Sequence, residues 1–193
     1  YERDLMLSTE DGGTTYKIYR QIIDKNDVHT NPDNWKTYKS KLTLDVTKNG
    51  STTTYLLDDN IYMEDKFGYN EGQKPCIILI HQTNEIGIFC VSKDAKASNY
   101  TMDGYYYRSP MNAISFQRES VFGNSNWGWF PYFTYNTSSG QLKLQHFSYK
   151  GYYAMTSTRS NSGSWSTKQG SYTKPDTFKQ NSLQIGNVLV VGR

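Results

Sequence analysis

The sequence predicts an all-β fold, and three observations carry that reading. Apolar and polar residues alternate with a period of two, as in Leu142, Leu144 and His146 set against Gln141, Lys143 and Gln145, which is the pattern of a strand with one face on a core. The 17 Tyr raise the aromatic content to 15%, and a core built from Tyr, Val, Ile and Thr suits a pleated surface. No stretch carries the apolar periodicity of an amphipathic helix over the about ten residues a helix needs.

A length of 193 residues is that of one domain with a sizeable core. Charged residues make up 20% and hydrophobic ones 36% of the chain, and with so many aromatics this is a folded, polar-surfaced protein. The net charge is +3, its lysines are scattered apart from Lys36, Lys39 and Lys41, and a nucleic-acid partner would require a stronger basic footprint. No apolar run reaches the about 18 residues of a membrane span, so membrane insertion is not expected. The start at Tyr1, with no charged-then-apolar leader, is read as a processed form without a conventional signal peptide.

In chain order, residues 1 to 13 are expected to form an N-terminal arm ending in Asp11-Gly12-Gly13, with one domain over 14–193. Thr14 to Ile23 reads as a strand and His29 to Ser40, with Asn31-Pro32-Asp33, as a loop. Asn49-Gly50 between Leu42–Thr47 and Thr52–Leu57 is the strongest hairpin signal, since both residues tolerate the positive φ of a type I′ turn. Met63 to Gln73 is loop, and Cys76–His81 and Ile86–Val91 form a hairpin across Thr83-Asn84-Glu85. Asp103-Gly104 is a turn before Tyr105–Tyr107; Ala113–Arg118 is a strand, Gly123–Gly128 a loop, and Phe130–Tyr135 a strand. Ser138-Ser139-Gly140 leads into Gln141 to Thr156, two strands about a turn at Gly151. Asn161 to Gly170 is a loop, and Leu183 to Val191 closes the chain as a strand with a bulge at Gly186.

Cys76 and Cys90 are the only cysteines; they make no disulfide framework and are expected as free, buried thiols. His29, His81 and His146 lack metal-ligand spacing, so neither metal nor cofactor is expected, and His146 continues the inward register of Leu142 and Leu144. No nucleophile elbow, P-loop or dinucleotide fingerprint occurs. Asp58-Asp59, Glu64-Asp65 and Asp176 lie in turn-like surroundings, so a non-catalytic protein is expected. Asn49, Asn99 and Asn136 each begin an N-x-Ser/Thr sequon, a possible glycosylation site on an exposed turn. Asp24, past a strand end, is expected to hold a turn through its carboxylate. Trp127, Trp129 and Phe130 are too close together for all to point inward, which predicts some exposed aromatic surface, the alternative being that one or both Trp plug the end of the core.

Three stretches carry a family resemblance: AISFQRE with QLKLQHFSYKGYYAM, KPCIILIHQTNEIGIFCVSK, and YRQIIDKNDV. In this order they resemble interleukin-1 superfamily cytokines, with Cys90, Val91 and Lys93 matching the central hairpin and Ile22, Ile23 and Asp24 the first one. The resemblance implies a β-trefoil, a six-stranded barrel capped by three hairpins, of about twelve strands, whose closure removes exposed edges. It implies a secreted cytokine, cut from a precursor, that binds an immunoglobulin-like receptor ectodomain and an accessory receptor chain as a monomer to trigger immune or inflammatory signalling. Receptor contacts are expected in two insertions, at Trp127, Trp129 and Phe130 and at Lys36 and Lys39, since interface anchors are enriched in large rigid side chains. The alternatives are a glycan-binding β-module, motivated by Trp127, Trp129 and Trp165, and a fibroblast-growth-factor-like heparin ligand. The scattered lysines disfavour the second.

Overall fold

A computed structural model describes residues 2–64, 74–96, 101–148, 152–173 and 186–193. Among them there are fourteen strands and no helix, so none long and apolar enough to cross a membrane. The strands form three open sheets. The first holds β1 (Arg3–Asp11), β2 (Thr14–Ile22), β4 (Lys36–Lys48) and β3 (Val28–Thr30) in that order, with β5 (Ser51–Glu64) on the other side of β4. The central sheet runs β14 (Val188–Val191), β6 (Cys76–Ile80), β7 (Glu85–Ser92), β8 (Met102–Pro110) and β9 (Gln117–Ser125). The third is a meander of β10 (Trp129–Asn136), β11 (Gln141–Phe147), β12 (Tyr153–Arg159) and β13 (Trp165–Tyr172). Among the described residues only β14 and β6 pair in parallel.

The central sheet is covered on both faces, and its sequence shows why. β6 reads Cys-Ile-Ile-Leu-Ile with every residue buried, the continuous apolar run of a strand with core on both sides. Ile77 and Leu79, Ile86, Ile88 and Cys90, and Tyr107 pack against Ile18, Leu42, Leu44 and Ile61 of the first sheet. The alternate residues Cys76, Ile78, Phe89, Val91 and Tyr106 pack with Phe133, Leu142 and Leu144 of the third. Cys76 and Cys90 thus lie on opposite faces as free, buried thiols. Burial raises the pKa of both, that of Cys90 to about 12.

This layering overturns the trefoil: none of the sheets closes into a barrel, and the interleukin-1 resemblance, with the cytokine function it implied, is corrected accordingly. Alternation and turn residues report which strands are half buried, but not whether a sheet closes or stacks. The fibroblast-growth-factor-like alternative needs the same trefoil and falls with it. Trp127, Trp129 and Trp165, which motivated the glycan-binding alternative, pack partly buried against the core between the central and third sheets.

Local expectations also change. The arm at 1–13 contains β1, paired with β2 from Arg3↔Gln21 to Asp11↔Thr14. Residues 29–40 hold most of β3 and the start of β4. Gly104 is not in a turn but inside β8, opposite Phe122. The strand expected at Ala113–Arg118 begins at Gln117 and runs on to Ser125, and much of the loop at 161–170 is β13. Residues 1–13, 29–40 and 161–170 are polar or glycine-rich and lack a local strand signal, and 113–116 lack strand partners despite one, because cross-strand pairing rather than local propensity decides strand formation. Asn49 and Gly50 do adopt φ of 52° and 77° between β4 and β5, as a type I′ turn requires. Met63 and Glu64, expected in a loop, end β5; the rest of that loop to Gln73, the turn at Gly151 and the first part of Leu183–Val191 fall outside the described residues.

A carboxylate joins the central and third sheets. Glu119 on β9 accepts hydrogen bonds from Arg159 Nε (2.9 Å) and Nη2 (2.8 Å) of β12 and from Trp165 Nε1 (2.9 Å) of β13. Arg108 Nε lies 2.6 Å from Glu119 Oε2 as an ion pair without hydrogen-bond alignment. Burial pushes the Glu119 pKa up, but the hydrogen bonds from Arg159 and Trp165 outweigh it and hold the carboxyl below its usual range. A depressed carboxyl pKa contributes stability that is present above the unfolded-state value of about 4.3 and is lost as pH falls through the folded value. Glu119→Gln is therefore expected to cost about 2 kcal/mol at pH 7 and to flatten the loss of stability below about pH 5, measured by urea denaturation across pH. An acid dependence identical to that of the parent would contradict this.

Candidate functional site

At one end of the first and central sheets, strand tips meet around a polar cleft of about 360 Å³. Asp11 ends β1, Gly12 sits in the turn, and Thr14 and Tyr16 open β2. Lys48 ends β4, His81 and Asn84 occupy the β6–β7 turn, Met111 and Asn112 follow β8, and Arg193 follows β14. Loops at the end of a rigid sheet scaffold are where binding residues concentrate.

Asp11 organises the cleft. Its side chain is 2% exposed and its Oδ2 lies 2.6 Å from His81 Nε2. A carboxylate only accepts, so Nε2 carries the donated hydrogen when His81 is neutral, and Nδ1 keeps its lone pair. Arg193 Nε lies 2.6 Å from Asp11 Oδ1 as an ion pair, with its N–H not aimed at that oxygen. The Tyr16 pKa is raised by burial and by the Asp11 charge, so the phenol stays a donor. The rim is tied down by backbone bonds: His81 N–H donates to Val191 O (2.9 Å) and Met111 N–H to Asn84 O (3.0 Å). Asn84, at φ 56°, donates from Nδ2 to Asn112 Oδ1 at 2.8 Å. Among the lining residues two full cations, Lys48 and Arg193, face one carboxylate that is already paired.

The residues picked out by sequence lie elsewhere and are not brought together. Lys36 and Lys39 are on β4 in the first sheet, whereas Trp129 and Phe130 begin β10 in the third, with the central sheet between. Trp127 packs edge-on to Phe122 with ring centroids 5.7 Å apart, and Phe130 has φ 50°. Asp24 Oδ1 accepts the Asn26 N–H at 2.8 Å. Asn49 is an exposed turn residue, Asn136 Oδ1 accepts the Ser138 and Ser139 N–H groups, and Asn99 lies outside the described residues. Asp11, Lys48, His81 and Arg193 were not singled out as one site. Their available signal was that Asp11-Gly12-Gly13, Asn49-Gly50 and Thr83-Asn84-Glu85 are all turn tips, but which tips share an end depends on sheet stacking.

A second histidine pair has different wiring. His146, 1% exposed, receives the Gly128 N–H on Nδ1 (3.2 Å), and its Nε2 lies 2.8 Å from Ser157 Oγ. With Nδ1 accepting, Nε2–H donates to Ser157, whose Oγ is 2.7 Å from Thr167 Oγ1. Burial lowers the His146 pKa to about 3, which keeps the ring neutral. A base for serine attack must accept the serine proton, and here the donation runs the other way. No protein-family model matches the sequence, and no curated protein matches it either.

Proposed function

We propose that this chain is a non-catalytic binding domain that takes a small anionic ligand in the cleft of Asp11, Lys48, His81 and Arg193. The observation that carries the reading is the convergence of donors from separate chain segments around a carboxylate already held by His81 and ion-paired with Arg193. Lys48 and Arg193 bring charge, and Asn112, Thr14 and Tyr16 bring neutral donors. A site of this size at the end of a fixed sheet suits a small ligand. The receptor partners expected earlier rested on the trefoil and stand without that support. The inverted donation in the buried His146–Ser157 pair supports binding over acyl-transfer chemistry.

Inorganic phosphate, titrated at constant ionic strength and followed by calorimetry, should bind the parent protein. Lys48→Ala should weaken it about tenfold, the equivalent of about 1.4 kcal/mol. Lys48 is exposed at a strand end, so melting should not move. Equal phosphate affinity in both proteins would overturn the assignment.

A further inference from the structure

The cleft's lining is not only cationic, and its neutral part points to a ligand class. Resting on the anion-binding reading above, we infer that the ligand is a hydroxylated carboxylic acid, its carboxylate held by Lys48 and Arg193 and a hydroxyl donating to His81 Nδ1. Thr14, Tyr16, Asn84 and Asn112 carry hydroxyl or carboxamide groups, each able both to donate and to accept. Groups of that kind match ligand hydroxyls, which also do both, better than they match an oxyanion, which only accepts. Met111 adds an apolar wall for the carbon chain.

His81 supplies an acceptor whose orientation is fixed from behind by a buried carboxylate. Asp11 holds Nε2 at 2.6 Å, the ring lines the cleft with a side chain 28% exposed, and Nδ1 is left for a ligand donor. A site built to pair a substrate hydroxyl discriminates against the analogue lacking it, because the site's polar group is then left unpaired.

The test compares gluconate with hexanoate, which shares its six-carbon carboxylate skeleton without hydroxyls, with inorganic phosphate as a third probe. Each is titrated into the parent, His81→Phe and His81→Gln at fixed ionic strength. The parent should bind gluconate at least about tenfold more tightly than hexanoate, and that preference, a ratio of two carboxylates taken within each protein, should shrink by about fivefold or more in both variants. Phosphate bound but gluconate and hexanoate equal in the parent would overturn the hydroxy-acid inference and leave the anion site standing. A gluconate preference unchanged in both variants would overturn the role of His81. Failure of all three probes to bind would overturn the anion-binding reading and this inference together.

Discussion

Gly87→Val is expected to cost about 3 kcal/mol of folding stability. Gly87, Glu85 and Phe89 share the face of β7 that looks toward the third sheet, and Tyr106 sits opposite Phe89 in the register of β7 and β8. The Tyr106 side chain lies over Gly87, where an added Cβ would overlap its ring and hydroxyl. Its hydroxyl donates to Glu85 Oε2 at 2.5 Å, and the ring packs edge-on to Phe133 and beside Trp165. A side chain at Gly87 must therefore expel a fully buried tyrosine, lose its hydrogen bond and open the core between two sheets. Urea denaturation gives the loss. The cost should fall sharply when Tyr106→Ala is present, as neighbours sharing one space are non-additive. An equal cost in both backgrounds would show that the overlap is not its source.

Asp11→Ala is expected to lower stability by about 2 kcal/mol and also to weaken phosphate binding by about fivefold. The second outcome separates preorganisation from simple charge. Removing a carboxylate leaves Lys48 and Arg193 with a stronger positive field, and charge alone would then raise anion affinity. But Asp11 is also what positions His81 and Arg193, and donors that must be ordered on binding lose affinity. Calorimetric titration of the folded variant decides this, and tighter phosphate binding would contradict the positioning role.

The strand content and several turns were legible in the sequence because they are local. Asn49-Gly50 carries its own turn preference, and the Leu142, Leu144, His146 alternation predicts the inward face that the structure gives His146. In sequence Cys76–Ile80 reads only as one arm of a hairpin; the structure buries all five residues, as a strand in a central layer requires. What could not be read is the stacking order of sheets, since that is decided by side chains far apart in sequence, such as Ile18 and Ile88 in one core or Phe89 and Leu144 in the other. Glycine misled for a related reason. Gly104 looked like a turn, yet it serves as the flat spot in β8 that admits Phe122. The cleft was hidden by the same non-locality, because Asp11 and His81 are separated by 70 residues and meet only once the first sheet docks on the central one.

An anion is expected to occupy the cleft at the end of the first and central sheets. Amide chemical shifts recorded during a phosphate titration test it most directly, since they locate the ligand without any substitution. Saturable shifts should appear at Gly12, Thr14, Lys48, Asn84 and Asn112, which line the cleft, while the opposite surface, on the third sheet at Lys143 and Lys168, stays unmoved. Shifts spread over exposed lysines on all three sheets, rising linearly without saturation, would contradict it.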